Sequence, residues 1–218
     1  MARIAMIGAT GLIGRSLAPR LVADGHQLLI LGRRASGVAG VSEKVGAMAS
    51  WPSLLEGERV DAAISTLGTT RKTAGSWEAF RAVDHDAVVA FAQAARRSGA
   101  RRMLCVSSVG ADPRSSGDYL ALKGEVEERL GDMGFERVDI VRPGLLRGER
   151  GADRRRGERI GILLSPLINP LLRGPFDRFQ AIDATVVAAA MAVLAGRDAP
   201  GQFVHQNRDI RRLAGSRS

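Results

Sequence analysis

The chain is poor in several residue types, and each scarcity narrows what it can be. It holds one cysteine in 218 residues. Cys105 stands in an apolar run, which excludes an internal disulfide framework and leads us to expect a reducing, cytoplasmic location. Aromatic residues make up 4% of the chain, so aliphatic side chains and alanine must fill the core. His26, His85 and His205 are scattered, nothing has metal-ligand spacing, and no metal is expected. No apolar run reaches the roughly 18 to 20 residues of a membrane span, so no membrane partner is expected. The opening "MARIAMIGATGLIGR" enters a strand–turn–helix pattern at once, and no signal peptide is expected.

Lysine is scarce too. Among 32 basic residues only Lys44, Lys72 and Lys123 are lysines, against 23 acidic residues and a net charge of +9. A basic chain raises the question of a nucleic-acid partner. The arginines are spread over the whole chain and no nucleic-acid motif accompanies them, so none is expected. The densest run, "RGERGADRRRGER" at 147–159, reads as a solvated loop.

What is present is a rhythm. Short apolar strands are expected at 2–7, 27–31, 44–49, 60–68, 101–108 and 137–143. Helices are expected at 12–24, from a Ser76 cap to about Ser98, and over the segment containing Tyr119. Such alternation implies right-handed βαβ units and a parallel sheet covered on both faces. Beyond Gly144 we expect a helix capped by Asp183 and ended by Gly196, a last strand "GQFVHQN" and a helical turn at 209–214. The fold class is thus α/β, doubly wound, with a mostly parallel, Rossmann-like sheet. One domain spans 1–218, with 1–146 as a dinucleotide-binding core and 147–218 as a small C-terminal lobe and lid. Whether the chain is a monomer or a homodimer is not legible.

"GATGLIG" lies between the first strand and the first helix. Glycine there allows a tight turn and lets backbone N–H groups approach a pyrophosphate at a positive helix end. Gly8, Thr10, Gly11, Leu12, Ile13 and Gly14 are the candidate cofactor residues of this turn. The second strand ends "LGRRAS". The acidic residue that would bind a ribose 2′-hydroxyl is missing, and Arg33 and Arg34 stand in its place. A guanidinium suits a 2′-phosphate, so NADP(H) is preferred over NAD(H), with Arg33 first and Arg34 second. Thr66, Leu67 and Gly68, ending the fourth strand, allow backbone approach to the cofactor ribose.

The one tyrosine, Tyr119, is followed four residues later by Lys123, and residues so spaced share a helix face. A free phenol has a pKa of roughly 10. A nearby ammonium favours the phenolate, so the pair can serve as general acid or base toward a carbonyl or alcohol. Ser107 or Ser108, at the end of the fifth strand, can hold the substrate oxygen.

"GATGLIG", "SSVGAD" and "YLALK" together resemble the short-chain dehydrogenase/reductase superfamily, atypical type. "STLGTTRKTAG", "VDHDAVVAFAQAARRSGARRMLCVSSVGAD", "LKGEVEE" and "VRPGLLRGER" are most similar to the Tat-interacting oxidoreductase-like branch and its bacterial relatives. The similarity covers nearly the whole chain and is strongest from 4 to 150. It implies a serine–tyrosine–lysine site made of Ser108, Tyr119 and Lys123, with NADPH as ligand and Ser107 turned toward the strand or cofactor. It also implies that Pro143 and Gly144 lie near the nicotinamide carboxamide. "KVGAMASW" lacks the acidic residue that holds adenine in many relatives, so no such contact is assigned. The expected function is an NADP-dependent oxidoreductase acting on a small-molecule carbonyl or alcohol. The alternative is an NADPH-binding regulatory or scaffold protein with little or no turnover.

Overall fold

The computed structural model describes residues 1–148 and 174–216. "RIAMI" (β1, Arg3–Ile7) is covered on both faces, as a central parallel strand must be. Beside it run β2 (Gln27–Gly32), β3 (Ser42–Val45), β4 (Ala62–Ser65), β5 (Arg102–Val106) and β6 (Arg137–Arg142), with β9 (Gly201–Gln206) at the far edge. Their order is β3-β2-β1-β4-β5-β6-β9, and every neighbouring pair is parallel. Ile4 sits opposite both Leu28 and Ala62, so chain order reverses between β1 and β4. The crevice at the carboxyl ends of those two strands is where such sheets bind ligands.

Helices cover both faces. On one, α1 (Gly14–Ala23), α7 (Ala184–Ala195) and α8 (Asn207–Gly215) set Leu17, Leu21, Val187, Met191 and Ile210 against Ile4, Met6, Ile30 and Ile64. On the other, α2 (Trp51–Leu54), α5 (Ala87–Arg97) and α6 (Asp118–Gly131) set Trp51, Phe91, Val126 and Leu130 against Ala5, Ile7, Leu31 and Ile140. Alternate residues of β1 thus serve alternate faces. Alanine takes the place of aromatics, most fully in "ATVVAAAMAVLA" of α7.

Several boundaries differ from expectation, each for a local reason. β3 ends at Val45: Gly46 N–H makes the last ladder bond, to the Gly32 carbonyl at 2.9 Å, and "MAS" beyond it coils into a 3₁₀ turn. Ser76 does cap its helix, accepting from Ala79 N–H at 3.1 Å. That helix is interrupted: α4 (Trp77–Arg81) passes through a π-helical turn at Ala82–Asp86 before α5. A short helix α3 (Arg71–Ala74), capped by Thr70, precedes it. Asp183 does not cap α7; its carboxylate lies 3.6 Å from Nε of Arg147. Both residues belong to a small parallel ladder of β7 (Leu146–Arg147) and β8 (Ile182–Asp183). The C-terminal stretch is built into the main architecture, since β9 extends the sheet and α7 packs on α1. Most of the arginine-rich run and of "IGILLSPLINPLLRGPF" lies outside the described residues.

One buried ionic cluster ties β9 on. Arg137 donates to both oxygens of Asp139 at 2.6 and 2.8 Å and to the Ala199 carbonyl at 2.6 Å. His205 Nε2 is 2.8 Å from Asp139, and the guanidinium stands 4.2 Å from the Phe203 ring centre. Among the described residues no helix is long and apolar enough to cross a membrane.

Candidate active site

The glycine turn sits in the crevice at the switch point. Gly8 has φ +83° and its Cα faces the backbone of the fourth strand's end: a Cβ there would stand 2.5 Å from Leu67 N. A Cβ on Gly14 would stand 2.2 Å from the Gly8 carbonyl oxygen. Thr66 locks this approach by donating its hydroxyl to that oxygen at 3.0 Å. α1 starts without a side-chain cap and without an acid in its first turn, which suits an anion. Thr10 is exposed and Gly11 and Leu12 half-buried, while Ile13 points into the core and offers its backbone alone. These features fit the pyrophosphate of a dinucleotide.

Arg33 and Arg34 are exposed just past β2 and pair with no acid among the described residues. Their loop is shaped by Glu43, whose carboxylate accepts from Ser36 N–H at 2.9 Å and from the Ser36 hydroxyl. Gly68 and Thr69 follow the Thr66–Leu67 approach, and Thr69 N–H donates to Asp84 at 2.7 Å.

Asp84 is the first residue the sequence reasoning missed. It is 2% exposed on the π-helical turn, and its other oxygen is 2.7 Å from Nζ of Lys123. Lys123, 6% exposed, lies one turn beyond Tyr119 on α6. Burial pulls the Lys123 ammonium toward the neutral form, but the charge of Asp84, the Tyr119 phenol and the hydrogen bond that Lys123 donates to Asp84 outweigh it, and the net shift is upward. Tyr119 is 40% exposed at the start of the helix, its ring 5.9 Å from that of Phe80. The signal for Asp84 was available: it falls on the stripe of Phe80, Ala87, Val88 and Phe91, where every other member is apolar.

The two serines separate. Ser107 is buried and gives its hydroxyl to Glu127 on α6, a carboxylate that also accepts from Arg142 Nε at 3.0 Å. Ser108 is half-buried, and among the described residues its hydroxyl makes only a 3.4 Å contact with the Val109 carbonyl. Its hydroxyl is the freer one for a ligand. The Val109 N–H bonds the Pro143 carbonyl at 3.1 Å, which brings the post-β6 turn beside the serines. Gly144 N–H donates to Asn207 at 2.9 Å, and the Asn207 amide donates to the Gln180 carbonyl at 2.7 Å. Asn207, 1% exposed, is a second missed residue; it clamps the Pro143–Gly144 turn to the start of α8.

The structure therefore gathers the glycine turn with Thr66 and Leu67, Lys123 with Asp84, and Ser108 with Pro143. It turns Ser107 aside and leaves Arg33 and Arg34 outside at the end of β2. Cys105, fully enclosed beneath Lys123, has its thiol pushed up to about 12 by burial and is inert.

A doubly wound parallel sheet with a glycine cradle at its switch point defines a dinucleotide-binding α/β protein. The chain belongs to the NAD(P)H-binding family, whose model matches residues 8–161. It is 34% identical over 237 residues to Protein FMP52, mitochondrial, of Coccidioides immitis, covering 99% of this chain and 94% of that one. It is 36% identical over 207 residues to the fmp52 protein, mitochondrial, of Aspergillus niger, covering 90% and 87%. A putative NAD-dependent epimerase/dehydratase from Bacillus halodurans superposes with TM-score 0.72 at 20% identity, covering 99% of this chain and 100% of that one. The human epimerase family protein SDR39U1, solved with NADPH, superposes at 0.63 with 19% identity, covering 94% and 74%. These structures share the fold. The relatives' mitochondrial names overturn the expected cytoplasmic location. That expectation rested on Cys105, and a single buried, inert thiol carries no information about its compartment.

Proposed function

We propose that the protein is an NADP-dependent oxidoreductase that moves a hydride between nicotinamide and a carbonyl or alcohol carbon. The observation that carries this reading is the buried Lys123, held by Asp84 at 2.7 Å one helical turn from Tyr119. Bound NADPH would supply the hydride. Tyr119 would give its phenolic proton to the carbonyl oxygen, or take it back from an alcohol. Lys123 would hold the nicotinamide ribose and stabilise the phenolate left on Tyr119. Ser108 would hydrogen-bond the same substrate oxygen, with Pro143 and Gly144 beside the carboxamide. Arg33 and Arg34, exposed and without acidic partners among the described residues, support the phosphorylated cofactor. The partner is thus a small molecule, with residues 1–146 binding the cofactor; no nucleic acid or membrane enters the proposal.

The test follows NADPH oxidation against a panel of aldehydes and ketones, with Tyr119→Phe alongside. The reading expects turnover in the wild type and a loss of 10²-fold or more in kcat for the variant, at the low end of general acid–base contributions of about 10²–10⁴, with NADPH affinity retained. If the wild type binds NADPH yet turns over nothing in the panel, the regulatory reading replaces the catalytic one.

A further inference from the structure

A buried lysine and a buried aspartate do not meet by accident of composition in a chain with three lysines. The backbone is deformed where they meet. A regular helix from Ser76 onward is widened into a π turn at Ala82–Asp86, and such turns often mark functional positions. Within it Asp84 is buried at 2%, while the neighbouring Asp86 side chain is 58% exposed. Both carboxylate oxygens of Asp84 are used, one by Nζ of Lys123 at 2.7 Å and one by the Thr69 N–H at 2.7 Å. Asp84 therefore joins α6 to the strand-end segment that continues from Thr66, Leu67 and Gly68.

The geometry points to Asp84 as the positioning residue that fixes Lys123 at the cofactor edge and keeps it an ammonium ion. The surrounding charges leave this task to Asp84. Beneath Lys123, on β5, lies the Cys105 thiol, neutral at any working pH. One turn further along α6 Glu127 is already occupied by Arg142 and Ser107. From the π turn and α4, His85 and Arg81 face Glu125, at 3.9 and 3.0 Å. At the start of α6 Asp118 lies 3.8 Å from Arg71. Tyr119 contributes only as a neutral phenol unless ionised. Remove the carboxylate, and burial, the largest influence on Lys123, is opposed only by Tyr119 and Cys105, which favours the amine.

Nitrogen NMR of selectively ¹⁵Nζ-labelled lysine tests this directly, because three resonances suffice and Lys44→Arg and Lys72→Arg assign the third. In the wild type the Lys123 signal is expected to stay at the ammonium position from about pH 6 to about pH 9, below the ordinary lysine value of roughly 10.4. In Asp84→Asn it should move to the amine position at least two pH units below that value, since buried unpaired lysines titrate as low as about 5–6. Asp84→Glu, which keeps the charge, should restore the ammonium. An Asp84→Asn signal that remains ammonium up to about pH 9 would overturn the assignment. So would a wild-type signal that leaves the ammonium position below about pH 9, a result obtainable even if Asp84→Asn does not fold.

NADPH affinity gives the second readout, and it alone rests on the proposed cofactor site. The ratio of variant to wild-type Kd should rise at least tenfold between about pH 6 and about pH 9.5, as Lys123 of the variant loses its proton. A ratio constant with pH means Asp84 is only structural and refutes the proposal. Failure of the wild type to bind NADPH refutes the cofactor reading instead, and the NMR result then stands by itself.

Discussion

Gly14→Ala tests the cradle at its tightest point. A Cβ at residue 14 would lie 2.2 Å from the Gly8 carbonyl oxygen, 2.8 Å from Ala9 Cα and 2.8 Å from the Thr66 hydroxyl. Two of these are backbone atoms, so no rotamer change relieves the contact. Replacing a helical glycine by alanine gains up to about 1 kcal/mol, less at a first helical residue. Overpacking typically costs about 1–3 kcal/mol, and at 2.2 Å the upper end applies, so the net is a loss of about 2–3 kcal/mol. For a chain of this length each kcal/mol shifts Tm by about 2–4 °C, giving a fall of about 4–12 °C. The larger effect is on the ligand. Relief of the clash must move Gly8 or α1, and either movement misplaces the N–H groups meant for the pyrophosphate. At a hundredfold excess over Kd, a ligand stabilises by about 2.7 kcal/mol, or about 5–11 °C here. Thermal melts with and without NADPH should show that increment in the wild type and little of it in Gly14→Ala. A variant that keeps the full NADPH-dependent shift would refute the placement of the cofactor on this turn.

Arg33→Ala should cut the preference for NADPH over NADPH's unphosphorylated counterpart NADH by tenfold or more, a loss of at least about 1.4 kcal/mol, measured as a ratio of Kd values; an unchanged ratio removes Arg33 from the 2′-phosphate. Asp139→Ala strands the buried Arg137 guanidinium and should destabilise by about 3–5 kcal/mol, read by urea unfolding. His26 accepts from the Ala2 N–H at 3.2 Å, and burial chiefly pulls its folded pKa below 6.5. The folded state thus prefers the neutral ring, so its contribution is present above pH 6.5 and is lost as pH falls through 6.5 toward the lower folded value. His26→Gln should flatten that part of the stability–pH curve; a curve that keeps its wild-type slope there contradicts the assignment.

The main strands were legible because buried parallel strands read as unbroken apolar runs. "RIAMI", "QLLIL" and "RMLCV" hold no competing pattern, and the glycine turn marks where the first one ends. The four-residue helices α2 and α3 were not legible, since neither completes the two turns over which periodicity shows. The ladder of β7 and β8 is two residues long and set by tertiary contact: Ile182 N–H reaches the Leu145 carbonyl at 2.9 Å. Asp183 does stand at the cap position before "ATVVAAAMAVLA", but its side chain makes no cap hydrogen bond and lies 3.6 Å from Arg147 Nε. β3 slipped because "AMA" is apolar in sequence, while strand register is fixed by pairing of Ser42–Val45 with Leu29–Gly32.

At the site, Tyr119 and Lys123 could be paired from spacing alone because one helix carries both. Their supports are of another kind. Asp84 reaches Lys123 from a different helix, Glu127 withdraws Ser107 from a neighbouring strand, and Asn207 holds Gly144 from the far end of the chain. What unites Asp84 and Asn207 is burial without an apolar side chain, at 2% and 1% exposure. A buried polar group must find its partners or cost several kcal/mol. Asp84 finds its partners in Lys123 and Thr69, so the position of the lysine and the course of the strand end are determined together. The same logic explains why Ser108 and not Ser107 is left for a ligand: a hydroxyl already committed to a buried carboxylate would have to abandon Glu127 to serve a substrate oxygen, whereas the 3.4 Å contact of Ser108 is too long to hold it back.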